Sequence, residues 1–193
     1  MRRPPAEVNR AMFANTLEAL KANGTTVRHI ALVCGAKSYG PHIGPYKTPA
    51  KESDPRILGP LFYNGQEDFL AEWSARNGAS WTVLRPDGIV GPSLGSPMNL
   101  AQGIGVYAAI CRELGLPLRF PGSLTTWSSV LHQLTDTAIL GRAVLWSLDA
   151  VTARGEIFNV INGDQFRWKH ISPEIAAAFE MTVEEPQPMP LKT

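Results

Sequence analysis

The sequence predicts an α/β fold: a parallel sheet flanked by helices. Short apolar runs such as His29-Ile30-Ala31-Leu32-Val33-Cys34-Gly35 and Trp81-Thr82-Val83-Leu84 read as strands buried on both faces of such a sheet. Between them, apolar residues recur at helical spacing, so strand and helix alternate. Only three or four strands are evident, a thin sheet for a free-standing domain, and the fold is therefore expected to be incomplete.

Each element has its own signal. Val8, Ala11, Met12, Leu17 and Leu20 form a helical pattern after Pro4-Pro5 and before the stop at Asn23-Gly24. The first strand follows at 29–34. Residues 40–60 carry Gly40, Pro41, Gly44, Pro45, Pro49, Pro55, Gly59 and Pro60, which forbid regular structure and predict a long, ordered surface loop. A helix then runs through Phe69, Leu70 and Trp73 to Asn77-Gly78, with Glu72 and Arg76 spaced for an i,i+4 ion pair. The strand at 81–84 is closed by Arg85-Pro86-Asp87-Gly88. A long helix spans about 98–114, a strand lies near 118–120, and a helix at 136–148 has Thr135 as N-cap. Glu156-Ile157-Phe158-Asn159-Val160 is a strand. Ser172-Pro173-Glu174 opens the last helix with Pro at its first position. Residues 1–185 are expected to form one partial domain, and the Pro-rich residues 186–193 a frayed tail.

Composition narrows the function classes. Among 193 residues, 18 Lys and Arg stand against 17 Asp and Glu, a formal net charge of +1. Such a balance offers no field for nucleic acid or an anionic membrane, so a small molecule or another protein is the expected partner, with self-association into a homo-oligomer as a further expectation. The two cysteines, Cys34 and Cys111, sit in apolar patterns and read as buried free thiols of a reducing compartment. No apolar core follows Met1-Arg2-Arg3 and no stretch approaches a membrane span, so a cytoplasmic protein is expected. The histidines His29, His42, His132 and His170 lack metal-ligand spacing, and no metal site is expected.

Four stretches could carry chemistry. Gly35-Ala36-Lys37-Ser38-Tyr39 follows a buried strand directly, where open α/β sheets bind ligands, although a loop lysine more often faces water. Tyr63, at the start of a helix, could aim its hydroxyl into a site or simply pack in the core. Glu67 and Asp68 splay apart on that helix and are no acid–base pair. Arg85-Pro86-Asp87-Gly88-Ile89-Val90-Gly91-Pro92 could shape backbone against a flat ligand. Gly91-Pro92-Ser93-Leu94-Gly95 matches a hydrolase nucleophile elbow, with Asp136 or Asp149 and His170 completing the order. The elbow needs a strand running into Ser93 and a helix leaving it, and Pro86-Asp87-Gly88 and Pro97 interrupt both.

Taken together, the motifs resemble one family. Cys34-Gly35-Ala36-Lys37-Ser38-Tyr39 is similar to the Thr-Gly-x-Lys-His-Tyr signature of the progesterone 5β-reductase/iridoid synthase group of short-chain reductases. Asp54-Pro55-Arg56, Phe62-Tyr63 and Glu67-Asp68 resemble its Pro-Arg … Asn-Phe-Tyr-Tyr-x-x-Glu-Asp, and Arg85-Pro86 with Ile89 and Gly91 its Arg-Pro-x-x-Ile-x-Gly. Further matches are Met98-Asn99-Leu100, Val106 to Cys111, Leu118 to Gly122, and Phe158-Asn159-Val160 through Trp168-Lys169-His170. Order and spacing agree from about Glu7 to Met181.

The resemblance implies a Rossmann-like fold of the extended short-chain dehydrogenase type and NADPH-dependent reduction of the C=C bond of enones or enals, with NADH as the alternative cofactor. It places the catalytic Tyr on Tyr63 and the catalytic Lys on Lys37. Lys37, Tyr63, Gly35, Arg85, Pro86 and Ile89 are the implied cofactor contacts. Tyr46, Met98 and Trp127 are the implied substrate contacts. Hydride added to the β-carbon of an enone leaves charge on the carbonyl oxygen. A Tyr hydroxyl aimed there stabilises it, and a nearby ammonium lowers the phenol pKa. Where short-chain dehydrogenases usually place a Lys, four residues after the Tyr, this chain has Glu67. Cys34, Ser38, Asn64 and Gly88 replace the family's Thr, His, second Tyr and Asn. No glycine-rich strand–turn–helix for dinucleotide phosphates is found. The competing expectation is a non-catalytic remnant of such a protein, with weak affinity for dinucleotide.

Overall fold

The computed structural model describes residues 4–93, 95–96 and 99–187. Helix α1 (Pro5–Ala22) leads to β1 (His29–Val33), and a 3-10 turn at Ala36–Tyr39 opens the Pro/Gly-rich loop that ends at α2 (Phe62–Asn77). Then come β2 (Ser80–Pro86), β3 (Gly88–Val90), α3 (Leu100–Glu113), β4 (Leu118–Arg119), α4 (Leu124–Ser128), β5 (Leu134–Asp136), α5 (Thr137–Asp149), β6 (Glu156–Val160), α6 (Trp168–Ala178) and β7 (Val183–Glu184). The chain forms two compact units, each built from two stretches of sequence.

The first unit, Met1–Asp87 with Ala138–Val160, holds a three-stranded parallel sheet in the order β1-β2-β6. β2 is central and buried from Thr82 to Pro86. β1 is an edge strand whose Val33 is 40% exposed, so burial on both faces holds for β2 and fails for β1. In register, Leu32 lies opposite Val83, and Leu84 opposite Phe158. Helices α1 and α2 pack through Phe13, Leu17, Phe69 and Trp73, with the Phe13 and Phe69 rings edge-on at 5.8 Å. Of the apolar residues in the α1 pattern only Leu17 is buried; Val8, Met12 and Leu20 face out, and Phe13 supplies the inward side chain beside it. The anticipated Glu72–Arg76 ion pair does not form, because the Arg76 Nε donates to the Glu72 carbonyl at 3.3 Å instead. Gly78 ends α2 in the left-handed conformation, as its place after Asn77 predicts.

The second unit, Gly88–Thr137 with Ile161–Thr193, has two short parallel ladders, β3–β5 and β4–β7. Its core gathers Ala108, Leu118 and Ala176. Two helix starts differ from the sequence reading. Thr135 and Asp136 pair with Ile89 and Val90 as strand, and α5 begins one residue later. Helix α6 begins at Trp168, four residues before Ser172, with Pro173 in its interior. Trp168 stacks on Phe120 at 5.3 Å and meets Phe166 edge-on at 5.2 Å, and this aromatic anchor starts the helix at the expense of the bond Pro173 cannot donate. An apolar cavity of about 390 Å³ opens between α3, β4 and α6, lined chiefly by Leu100, Ile104, Leu118, Phe120, Trp168 and Ile175. The anticipated frayed tail lies outside the described residues beyond Gln187. No described helix is long and apolar enough to cross a membrane.

Candidate active site

The carboxyl ends of β1 and β2 bring together much of what the sequence singled out. The Cys34 N–H donates to the Leu84 carbonyl at 2.8 Å, continuing the ladder one residue past β1. Gly35 is buried and extended, and the 3-10 turn follows at once, with Lys37 exposed and without an ion pair among the described residues. Leu61 caps α2 in an extended conformation, so Tyr63 falls on the first turn of the helix. Its ring packs against the cluster of Cys34, Leu70 and Val83.

The tyrosine and the glycine are fitted to each other. A β-carbon at Gly35 would lie 2.9 Å from the Tyr63 hydroxyl oxygen and 3.5 Å from the Pro86 carbonyl oxygen. The phenol therefore rests on bare backbone, and any larger residue beneath it must displace the phenol. Its hydroxyl has no hydrogen-bond partner among the described residues. Burial, and then the neighbouring Cys34, raise the phenol above its ordinary pKa. The sequence reading expects the opposite direction, but desolvation outweighs any distant ammonium, and the group stands as a protonated donor at neutral pH. Burial and the adjacent Glu67 carboxylate likewise push the Cys34 thiol up, so it is inert as a nucleophile.

One helical turn beyond Tyr63, Glu67 is buried and meets Arg85, itself only 4% exposed. The Arg85 Nη2 donates to both carboxylate oxygens at 3.0 Å and its Nε to Oε1 at 3.3 Å. Nη1 donates to the Tyr39 hydroxyl at 3.3 Å, which in turn donates to Asn159 Oδ1 at 2.6 Å. The guanidinium also lies 5.3 Å from the Tyr39 ring centroid. From the loop, Arg56 reaches Glu67 Oε2 at 3.2 Å and also pairs with Asp68. The same loop is pinned to β6, since the Asn159 N–H donates to Glu52 Oε1 at 2.7 Å. Arg85, expected among the cofactor contacts, thus has its guanidinium committed inside the protein. Sequence reasoning missed this network. The available signal was an arginine ending a buried apolar strand, which demands a counter-charge.

The other anticipated residues fall on several elements of the two units. Tyr46 is exposed on the loop, its phenol raised by burial and by the Asp87 carboxylate. Pro86 is buried at the end of β2. Ile89 is 40% exposed on β3, and Trp127 lies on α4 with its indole N–H buried and unpaired among the described residues; both belong to the second unit. Met98 lies outside the described residues. Two departures from the family pattern leave unmet polar atoms: Ser38 Oγ and Asn64 Oδ1 are buried without a partner among the described residues. As for Ser93, β3 ends at Val90 and α3 begins at Leu100, so it lies on no strand-to-helix elbow.

Comparison with known proteins gives this arrangement its relatives. The chain is 37% identical over 180 residues to (S)-8-oxocitronellyl enol synthase CYC2 of Camptotheca acuminata, a match covering 90% of this chain and 46% of that protein. It is 34% identical over 190 residues to the short chain dehydrogenase gsfE of Penicillium aethiopicum, covering 95% of this chain and 50% of that protein. The chain spans about half the length of the curated relatives it matches. Among solved structures, RMD from Pseudomonas aeruginosa complexed with NADPH superposes with a TM-score of 0.74 at 21% identity, over 93% of this chain and 60% of that one. UDP-glucose 4-epimerase from Thermus thermophilus, complexed with NAD, gives 0.67 at 24% identity, over 95% and 58%. These two likenesses show the fold, a Rossmann-type parallel sheet flanked by helices. The model of the PRISE family, a PRISE-like Rossmann-fold domain, matches residues 3–189, and the chain is a member of that family.

Proposed function

We propose that this chain carries the catalytic segment of an NAD(P)H-dependent reductase acting on the C=C bond of enones or enals, with Tyr63 as the group that stabilises the enolate and Lys37 assisting. The observation that carries this reading is the Tyr63 hydroxyl, protonated and without a partner among the described residues, resting on Gly35 at the carboxyl end of the sheet. Ligands of open parallel sheets bind at that edge. The Lys37 ammonium is exposed two residues past Gly35, so in this reading it meets the nicotinamide-ribose end of a dinucleotide. NADPH, when bound, supplies the hydride. The relatives named as enol synthases support the substrate class, and the NADPH-bound neighbour supports the cofactor.

In this reading the phenol donates a hydrogen bond to the substrate carbonyl oxygen. That bond strengthens as hydride addition at the β-carbon moves charge onto the oxygen, so it acts on the transition state more than on the bound substrate. The raised pKa of Tyr63 keeps the donor proton in place through the physiological range. The packed cluster beneath the ring excludes water from one side and restricts its swing. Lys37 serves as the mobile cation of the site, holding a ribose hydroxyl or the developing negative charge. Replacing Tyr63 by Phe in the whole protein is expected to lower kcat about 10²- to 10³-fold with an enone or enal substrate. A rate equal to that of the unaltered protein would refute the role.

A further inference from the structure

The buried charges beside the site are by themselves weak evidence of stability. Moving a carboxylate and a guanidinium out of water costs about as much as their attraction returns, so an apolar pair of the same volume would hold the core as well. What an ion pair adds is direction. Here the Arg85 guanidinium makes three contacts with Glu67, a fourth with the Tyr39 hydroxyl, and lies against the Tyr39 ring, so its plane has one orientation. The Tyr39 hydroxyl continues to Asn159 on β6. The Glu67 carboxylate thus faces Cys34, one residue past β1, and Arg85 near the end of β2. Tyr39 belongs to the same short turn as Lys37.

Glu67 and Tyr63 are four residues apart on α2, on one face and about 6 Å apart along the axis. The N-terminal end of that helix has no side-chain cap to hold it. Resting on the role proposed for Tyr63, we infer that Glu67 is a positioning residue of this site: its grip on Arg85 fixes the rotation and height of α2, and so keeps the phenol over Gly35. The residue at the place short-chain dehydrogenases usually give to a lysine therefore acts from inside the protein. It faces neither substrate nor cofactor. Tyr39 and Arg85 are the two further members of the device.

A double-mutant cycle on the whole protein tests this. Glu67→Gln preserves shape and removes the charge. It is expected to lower kcat about tenfold while the substrate KM stays within about threefold, since orientation in the transition state is lost and binding is not. In the Tyr63→Phe background the same substitution is expected to change kcat by less than about twofold, because there is no hydroxyl left to misplace. Equal losses in both backgrounds would mean that Glu67 supports the fold alone, and would overturn the inference, as would an unchanged kcat in folded Glu67→Gln protein. Should Glu67→Gln fail to fold, Tyr39→Phe deletes only the hydroxyl between Arg85 and Asn159. It is expected to cost about threefold in kcat, again only where Tyr63 is present. A Tyr63→Phe protein with undiminished turnover is a separate result: it would remove the reading of Tyr63, and this inference with it.

Discussion

At the scale of single residues, the proposed site depends on the space that Gly35, with no side chain, leaves beneath Tyr63. Gly35→Ala introduces a β-carbon 2.9 Å from the Tyr63 hydroxyl, closer than such atoms tolerate, and the phenol must move. Because Gly35 is extended, with φ at 178°, alanine meets no backbone strain there. The expected result is a loss of activity of about tenfold or more with little change in melting temperature, seen by comparing kcat with thermal unfolding of the same variant. His29 makes a second prediction. Its Nδ1 lies 2.8 Å from the Ser80 hydroxyl, and burial, then Arg154, lower its pKa below the ordinary 6.5. The folded state therefore binds fewer protons than the unfolded chain, so stability is fully present above pH 6.5 and declines as the pH falls toward the folded pKa. Thermal unfolding between about pH 7.5 and 5 should show that decline, and His29→Gln should reduce it. Among the proposed site residues, motif resemblance singled out Tyr63, Lys37 and Gly35. It could not reveal that Ser38 and Asn64 leave polar atoms unmet, because satisfaction depends on partners distant in sequence.

At the scale of elements, the apolar runs of β2 and β6 and the helical period of α2 were legible because each is set by local pattern. Of the short strands in the ladders β3–β5 and β4–β7 only β4 was legible: strands of two or three residues have little periodicity to read, and their pairing is decided by what packs around them. The early start of α6 was hidden for the same reason, since Pro173 argued for a boundary that the stacked ring of Trp168 overrides. One element-level test concerns the exit of β3. Gly91 has φ at +151°, and a β-carbon there would fall 2.1 Å from Thr137 Oγ1. Gly91→Ala is expected to destabilise the fold by about 3 kcal/mol or more. Gly105→Ala, in the interior of α3 with open space around it, should stabilise by about 0.5–1 kcal/mol. Denaturant unfolding of the two variants in parallel checks both signs.

At the scale of the whole molecule, these 193 residues contain no glycine-rich turn to hold a pyrophosphate, although they contain the residues proposed to meet the nicotinamide end. NADPH titrated into this chain by calorimetry is therefore expected to bind more weakly than about 100 µM, because a glycine-rich turn that cradles the phosphates supplies much of a dinucleotide's affinity. Micromolar binding by the chain alone would show that these 193 residues suffice. The alternation that identified the fold class also concealed its division. β1, β2 and β6 share one sheet, yet β6 follows the first stretch of the second unit, and nothing local in Glu156–Val160 states which strand it will join. That interleaving bears on synthesis. β2 emerges from the ribosome after β1, but the strand that closes its other side is translated about seventy residues later. At ordinary elongation rates this is a wait of roughly 4 to 14 s, during which a row of amides and carbonyls lies open to the wrong neighbour, and a chaperone has its window.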